Sequence, residues 1–494
     1  MSERRGEEAS CSSGVSTPVY TDDESCLNSL PPPRPPSSRE NPPTREERRR
    51  PPPPEEEKKE AEEKKKKEEK KETFPYPYHA PVTRSTSATT IPRVWKILPS
   101  ITYGGTPHLS PIAVGIGPYH HRYSLLEMKD AKCTAQDEYF RVASQRQPRE
   151  AVREKMLQLV GSARSCYDRT VQHVDDGEFA DMMLLDGCFL LQFMVSMCPD
   201  DPNAPPDPLM SRPEVHTCMN AIARDVMLLE NQIPWLVLEA LMELRPGPPV
   251  VPVGNFLALM AAAFDIGNDV DHETDLAHLL SCPPPHLLGL FHRRQVGAAR
   301  AQSHRVPRLS ALSTTAVELA EMGVKLASSK TKEFGETNMS KRRRRGLYGE
   351  LSLAPVVLND LTSCWLLNMA AYEACLGATE ADNFAVGSYV SVVAQLMNRE
   401  EDVQELRGKG IINSDMSDMT TMEFFKSTAR HLRVGHRYYE VFQGLQEYRQ
   451  ERWAWIAIHR FVYKNYKTMA AVLSIIGVLA GLFKTILSLK QPQR

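Results

Sequence analysis

Two adjacent histidines, His120 and His121, are the side chains of this sequence best suited to proton transfer or metal binding. Imidazole titrates near neutral pH and is a common metal ligand, so either residue could act as a base or as a ligand. No third ligand stands at a metal-site spacing from them, and adjacent histidines on a loop more often make surface or hydrogen-bonding contacts. The pair therefore predicts neither a metal site nor a catalytic site.

A glycine pair just before these histidines has the outline of a nucleotide-binding loop. Gly115 and Gly117 lack the third glycine of a dinucleotide fingerprint, and Pro118 removes the next backbone N–H donor. The pattern instead favours a turn that ends a strand. We expect no nucleotide cofactor here.

Four carboxylates alternate between Asp269 and Asp275, as they do in a calcium loop. Thr274 stands where that loop needs a glycine, and Leu280 stands where it needs a bidentate glutamate. A helix N-cap at Thr274 or Asp275 accounts for the pattern. The sequence therefore predicts no calcium site.

Two acidic pairs lie in apolar helical runs. The members of each pair are five residues apart, or about 140° around a helix, so they share no face for acid–base work. The pairs are Asp181 with Asp186, and Asp225 with Glu230. Glu230, Asn231 and Gln232 also lie between apolar runs, and an unpaired buried polar group costs roughly 1–3 kcal/mol. We therefore expect a structural cap-and-turn network of hydrogen bonds at these three residues.

Established catalytic motifs are missing from the sequence. It has no serine-hydrolase elbow, zinc-protease motif, P-loop, kinase set or Glu-x-x-His pair. Its formal net charge of −2 gives no global field that would select a nucleic acid. Its 10 cysteines are scattered without C-x-x-C spacing, which predicts free thiols in a reducing compartment. We predict no catalytic, cofactor-binding or metal-binding residues, and we expect that the protein is not an enzyme.

Residues 1–88 are too polar and too rich in proline to bury a core, and we predict a disordered arm. Residues 31–54 favour extended polyproline II. Residues 55–72 are almost entirely Glu and Lys and favour a solvated helix of coiled-coil-like composition, although one without an apolar seam. The arm is interpreted as a spacer, as a docking arm for proline-binding modules, or as a tail without a specific partner.

Residues 89–460 have the helical periodicity of a globular body, so we predict a mainly α fold. Residues 179–197 and 223–244 are apolar runs with carboxylates inside them, which is typical of core helices rather than membrane spans. Short strands are expected near 113–116 and 351–358. Proline-rich breaks separate the helical runs.

An apolar C-terminal segment predicts one transmembrane helix, which begins at Met469 and ends at Leu489. Its length suits the about 20 residues that a bilayer core requires. Lys484 lies near its end, where a long side chain can reach the interface. Because the N-terminus lacks the apolar core of a signal peptide, the arrangement is that of a tail anchor. A buried core helix is the alternative.

The residues around the segment bear on its orientation. The basic residues before it are Arg449, Arg452, Arg460, Lys464 and Lys467. Only Lys490 and Arg494 follow it, so the positive-inside rule places the body in the cytosol. This basic and aromatic flank also suits a calmodulin target or an anionic-lipid patch. The run from Lys341 to Arg345 suits a nuclear import signal, a nucleic-acid patch, a lipid-phosphate contact or a solvated loop. The glycosylation sequon at Asn338 would matter only in a lumenal body.

A series of ordered motifs resembles the plant family catalogued as domain of unknown function 247, of the UPF0481 type. The motifs lie at residues 91–94, 111–121, 126–132, 163–167, 183–189, 225–235, 318–324, 368–373 and 398–403. Residues 225–235, DVMLLENQIPW, carry the most specific of them. Arg122 departs from the pattern, since a glycine often follows the histidine pair in the family. The N-terminal arm is an addition to it.

The resemblance implies a plant protein that is associated with a membrane, specifically the plasma membrane, and that has no established enzyme activity. Some relatives are discussed as pollen-side recognition determinants in grass self-incompatibility, which suggests a recognition role. The family is often predicted to have a non-cytosolic body, in conflict with the charge count above.

We therefore predict a single-pass membrane protein with a cytosolic body that acts in protein–protein recognition or signalling. We expect protein partners, and no cofactor, nucleic acid or small-molecule substrate. One alternative is an enzyme whose nucleophile or base lies near His120, His121 or Glu230. Another is a nuclear factor that uses the arginine cluster.

Overall fold

A computed structural model describes most of the chain from Ser110 to Leu489. The described residues are 110–120, 126–143, 148–168, 171–199, 207–245, 250–264, 276–297, 314–330, 333–341, 348–376, 384–430 and 432–489. The predicted arm, the possible calcium loop at 269–275, His121 and the arginines at 342–345 lie outside these residues.

Helices dominate the described residues, which confirms the predicted mainly α class. Those of the first half are α1 (Leu126–Ala143), α2 (Arg149–Ser165), α3 (Asp176–Met197), α4 (Pro213–Thr217), α5 (Met219–Asp225), α6 (Trp235–Leu244), α7 (Val253–Ala262), α8 (Leu276–Leu279) and α9 (Leu287–Val296). Those of the second half are α10 (Ala316–Glu321), α11 (Asp360–Cys375), α12 (Ala385–Leu396), α13 (Glu400–Gly408), α14 (Asp418–Ala429), α15 (His436–Glu451) and α16 (Trp453–Leu489).

Within the second half, short strands of the described residues form two small sheets. The strands are β1 (Val324–Ser328), β2 (Asn338–Lys341), β3 (Gly349–Leu353), β4 (Val356–Leu358) and β5 (Ile412–Ser414). β3 lies between β1, with which it pairs in parallel, and β2, with which it is antiparallel. β4 pairs in parallel with β5. Strands therefore occur at 351–358, as predicted.

The central helix of the first half is α3, one of the predicted core helices. Asp175 caps its N-terminus and accepts the N–H groups of Gly177 and Glu178 at 2.8 and 3.3 Å. From there α3 packs against α1, α2 and α6. Its side chains are buried on almost every face, as is typical of a core helix.

The other predicted core run, 223–244, is divided in two. Helix α5 ends at Asp225 and α6 begins at Trp235, directly after Pro234. The residues between the helices form turns, and their side chains build the network described below. Pro234 thus marks the boundary at the start of α6, as its fixed φ and missing N–H predict.

The last helix, α16, leaves the body. Its 37 residues correspond to a length of about 55 Å at the α-helical rise. The N-terminal part packs against α10 and α15, whereas the apolar C-terminal part is exposed. The window 453–486 is long and apolar enough to cross a membrane and is 0% buried.

Candidate functional site

The segment 110–120 enters the body without forming a helix or a strand, so its backbone groups need other partners. Asp225, the last residue of α5, supplies the first. Its Oδ2 accepts the N–H groups of Ile112, Ala113 and Val114 at 2.9, 2.6 and 3.0 Å. The short strand predicted here is therefore wrong, because a carboxylate rather than a neighbouring strand satisfies this backbone.

Asp225 is fully buried, so its charge needs compensation. Burial raises the pKa of this carboxyl, and the three N–H donors and the Arg224 guanidinium oppose that rise. Arg224 lies 2.6 Å from Asp225 and also donates to the backbone oxygen of Ser110 at 3.3 Å. The two neighbouring side chains thus hold the start of the segment together.

Asn231 extends the network along the same segment. Its Oδ1 accepts the N–H of Ile116 at 2.5 Å, and its Nδ2 donates to the backbone oxygens of Val114 and Asp225 at 3.0 and 2.9 Å. One buried amide therefore joins the segment to the turn after α5. This confirms the hydrogen bonding that we expected of a buried Asn231.

Gln232 satisfies a different set of backbone groups. Its Nε2 donates to the carbonyl oxygens of Val226 and Leu228, both at 2.8 Å. Its Oε1 accepts the N–H of Leu288, in the first turn of α9, at 3.0 Å. The side chain thereby closes the turn and ties it to α9, again as a structural network would.

A buried ion pair completes the site. Lys132 on α1 donates its Nζ to Asp186 Oδ1 on α3 and to the carbonyl of Gly115, each at 2.5 Å. The second oxygen of Asp186 accepts the N–H of Gly117 at 2.8 Å. The Lys132 and Asp186 side chains are 5% and 3% exposed, so the pair lies in a medium where losing either partner is costly.

Gly117 makes the sharp turn at the end of the segment possible. Its φ is +73°, and a Cβ at this position would lie 2.8 Å from the carbonyl oxygen of Gln232. That same oxygen accepts the hydroxyl of Tyr167 at 2.9 Å. The glycine is thus needed for a close backbone approach. The predicted turn is present, but the strand that it was expected to end is not.

His120 lies at the edge of this network. Its Nε2 is buried without a hydrogen-bond partner, and the nearest carboxylate oxygen, on Glu230, is 3.9 Å away. That separation is too long for a hydrogen bond. Burial lowers the pKa of His120, which favours the neutral ring. Glu230, with a side chain 31% exposed, is the most open of the three polar residues in its motif.

A second buried polar cluster lies between α9, α11 and α12. Both oxygens of Glu373 accept N–H groups at the start of α12, from Val386 at 2.9 Å and Gly387 at 2.7 Å. His292 Nε2 lies 2.8 Å from the same carboxylate. Glu373 thus caps a helix that does not contain it, where the helix dipole favours a negative charge. His286 is also buried, and its Nδ1 accepts the N–H of Gly289.

Arg245 is a buried cation at the end of α6. Its guanidinium nitrogens have no hydrogen-bond partner, and its centre lies 6.0 Å from the ring of Tyr139. Burial lowers the pKa of Arg245.

A groove of about 370 Å³ between α1, α2 and α3 is lined by Arg149 and Arg153, which pair with Asp137 and Asp181.

The cysteines of the described segments form no disulfide. Burial raises the pKa of Cys188, and raises that of Cys364 to about 11, so neither favours a thiolate at neutral pH. Within the described ranges, no group of three His, Cys, Asp or Glu side chains could hold a metal ion.

Sequence reasoning missed several members of these clusters. Three of them were not singled out because their partners lie far away along the chain, namely Lys132, Glu373 and His292. His286 was not singled out either, although its partner Gly289 is local. A charged side chain inside an apolar helical run was a signal available for Glu373, whereas Lys132 lies in a mostly polar helix and gave no such signal. The structure brings Asp186, Asp225 and Asn231 onto one segment, which spacing on single helices could not show.

The fold and the network define a mainly helical body that binds its own leading segment and is followed by a candidate membrane span. The sequence profile described as plant protein of unknown function, DUF247, matches residues 97–480. The chain therefore belongs to the DUF247 family.

A curated relative supports this membership. UPF0481 protein At3g47200 of Arabidopsis thaliana is 26% identical over 409 residues, which cover 76% of this chain and 81% of that protein. No solved structure gives a significant match.

Proposed function

We propose that this protein is a single-pass membrane protein whose body recognises a protein partner. The proposal is carried by the exposure of α16, whose apolar stretch has a mean hydropathy of 2.1 and is 0% buried. Leu473 and Phe483 are each 65% exposed. Such a long apolar surface is unfavourable in water and favourable in hydrocarbon, at about 25 cal/mol per Å² removed from water.

The hydrogen bonding of the polar motif residues supports a recognition function rather than catalysis. The polar side chains of the motif form hydrogen bonds with the backbone of the body itself, as seen for Asp225, Asn231 and Gln232. The most specific family motif is thereby explained by folding. Recognition by the outer surface is the function that this arrangement and the family resemblance favour.

The cytosolic placement of the body rests on the charge difference across the span. Basic residues are concentrated before Met469, and only Lys490 and Arg494 follow Leu489. The plasma membrane is the compartment that the family resemblance implies. The sequon at Asn338 provides a test: a cytosolic body stays unglycosylated in plant cells, and an N-glycosidase produces no mass shift. A shift would reverse the proposed orientation.

The experiment that tests the proposal is partner capture from native plant membranes. The full chain and a variant without residues 469–494 are expressed at equal levels, and membranes are washed with carbonate before solubilisation. We expect the full chain to stay in the pellet and to retain specific proteins, and the truncated variant to be released. Release of the full chain would end the anchoring proposal, and a full chain that retains no specific protein would end the recognition proposal.

An enzyme remains the second candidate, because His120 is a neutral, buried base close to Glu230. The substitutions His120→Gln and Glu230→Gln separate the two classes. An enzyme would lose turnover while remaining folded, whereas a recognition protein would change only in stability or partner affinity. A nuclear factor that uses the run from Lys341 to Arg345 would not pellet with carbonate-washed membranes.

A further inference from the structure

This inference rests on the proposed function, because the position of α16 along the membrane normal follows from the anchoring proposed above. If the hydrocarbon begins at Met469, Lys467 stands about 3 Å and Lys464 about 8 Å outside it, at 1.5 Å per residue. The headgroup layer extends about 5–7 Å beyond the hydrocarbon. Lys467 therefore stands within the headgroup layer, and Lys464 stands at its outer edge.

The body contacts α16 almost down to that level. Glu321, the last residue of α10, pairs with Arg460 at 3.3 Å and with Lys464 at 3.2 Å. Its backbone oxygen accepts Nδ1–H of His459 at 2.9 Å. Because Glu321 belongs to the body, its contact with Lys464 brings the body surface to within one helical turn of Lys467.

A second contact, higher on α16, fixes the docking angle. Tyr348 packs edge-on against Trp455 and His459, with ring centroids 5.8 and 5.7 Å apart. Gly323 lies beside this aromatic group, and its φ of +77° is a left-handed backbone conformation that favours glycine. Body and helix are thus joined at two heights, which favours a rigid connection.

The surface at headgroup level is cationic and aromatic. One carboxylate, Glu321, faces two cations, Arg460 and Lys464, and Lys467 adds a further positive charge. The Arg460 and Lys464 side chains are 47% and 57% exposed despite this pairing. Tyr466 is 58% exposed and has the amphipathic ring that is typical of membrane interfaces.

We propose that a collar formed by Lys464, Tyr466 and Lys467 docks anionic phospholipid headgroups and seats the body on the membrane. Arg460, about 14 Å outside the hydrocarbon by the same count, stands above this collar and shares Glu321 with Lys464. The excess positive charge of the collar complements anionic lipid, and the collar is continuous with the apolar span. Glu321 limits this charge from the body side. The body thus takes part in lipid selection, and α16 is not an anchor that acts independently of it.

The test uses the full chain reconstituted in phosphatidylcholine vesicles that contain a trace of spin-labelled phosphatidylserine or spin-labelled phosphatidylcholine. Electron spin resonance reports the association of the first label relative to the second. A headgroup-level charge is worth about 1 kcal/mol, or about fivefold in association. We expect a preference for phosphatidylserine that decreases by up to about fivefold per lysine removed in Lys464→Gln/Lys467→Gln.

Glu321→Gln is the decisive variant, because it changes a body residue far from α16 in sequence. If the body sits at headgroup level, this variant raises the phosphatidylserine preference, since two cations lose their carboxylate. For the lysine double variant, the charge-matched control is Lys129→Gln/Lys409→Gln, at exposed positions in α1 and directly after α13, and it leaves the preference unchanged. Circular dichroism confirms that each variant is folded.

The possible failures are distinguishable. A wild-type chain that does not float with the vesicles overturns the anchoring and this inference together. A chain that floats without preferring phosphatidylserine overturns only the lipid docking, as does a collar covered by a second copy in cross-linking. If the lysine variant loses the preference and Glu321→Gln changes nothing, the body is not seated on the headgroups.

Discussion

Two of the described helices are long and apolar enough to span a membrane, but one is buried in the body and the other is exposed. Helix α3 has a mean hydropathy of 1.4 and its apolar window is 83% buried, whereas the window of α16 reaches 2.1 and is 0% buried. Length and apolar composition therefore do not distinguish a core helix from an anchor. The charged residues inside each helix do.

Helix α3 carries one carboxylate, that of Asp186, that is buried and needs partners from the folded protein, and another, that of Asp181, that is half exposed. Asp186 binds Lys132 and the N–H of Gly117, and Asp181 binds Arg153 at 2.6 Å. Residues 469–483 of α16, by contrast, have no charged side chain at all. A carboxylate in an apolar helix thus indicates tertiary partners, and its absence over a long stretch indicates hydrocarbon.

The strongest test of this contrast places charges in both helices. Leu190→Arg in α3, where the leucine is 3% exposed, should unfold the body, since a buried unpaired cation costs more than about 5 kcal/mol. Ile475→Arg/Leu479→Arg in α16 should cost about 5–7 kcal/mol of membrane insertion and leave the body folded. Urea unfolding and vesicle flotation measure the two effects.

The controls for that pair are Leu190→Met and Ile475→Leu/Leu479→Ile, which preserve apolar volume. The contrast between the helices would be wrong if the arginines in α16 unfolded the body. That outcome would mean that the apolar part of α16 packs within the fold.

The next test removes the partner of the carboxylate in α3. Lys132→Met should destabilise the body by about 3–5 kcal/mol, because it leaves Asp186 charged and buried. Lys484→Met in α16 should not change the urea midpoint, since Lys484 is exposed. If Lys132→Met has no effect on that midpoint, the buried pair is not what places Asp186 in the core.

A smaller effect concerns pH. Burial, with His292 and Arg293 nearby, lowers the pKa of His286 from 6.5 to about 3 in the folded body. Below pH 6.5 His286 binds a proton in the unfolded chain but stays neutral in the folded body. The free energy of unfolding therefore decreases as the pH falls toward 3. At pH 5 the loss from this group is about 2 kcal/mol.

His286→Asn keeps an acceptor for Gly289 and removes the titration, so the urea midpoint should fall less between pH 7 and pH 5. His120 contributes in the same direction and remains in both proteins. Membrane retention should not change over this range, because 469–483 contains no titratable side chain. Identical pH profiles for the variant and the wild type would contradict this assignment.

The smallest effect compares one glycine from each helix. A Cβ on Gly187 in α3 would lie 2.4 Å from Leu241 Cδ1, whereas a Cβ on Gly477 in α16 would have nothing within 4 Å. Gly187→Ala should cost about 1 kcal/mol, since overpacking exceeds the gain in helix propensity. Gly477→Ala should leave the body unchanged. Equal thermal midpoints for both variants would show that Leu241 can move aside.

The elements that depend on local pattern were largely predictable. The core helix α3 and the strands at 351–358 follow from apolar periodicity, and the apolar helix at the C-terminus follows from its composition. The short strand expected at 113–116 was wrong, because β-branched residues describe an extended chain equally well when a carboxylate satisfies its backbone.

The site was predictable only in part. Asn231 and Gln232 were expected to be hydrogen-bonded, since buried polar groups must be. Their partners were not predictable: Asp225 binds backbone groups more than a hundred residues earlier, and Lys132 binds Asp186 on another helix. The partners of Glu373 gave no local signal, because the helix that it caps begins after its own helix has ended.

The sequence by itself determined the class of elements and the presence of an uncharged apolar segment at 469–483, because periodicity and hydropathy act over neighbouring residues. Only the tertiary structure decided that the family motif at 225–235 binds the segment 110–120 and that Glu321 meets Lys464. The reason is physical: a buried polar group must have a partner, but the identity of that partner depends on which distant backbone the fold brings within 3 Å.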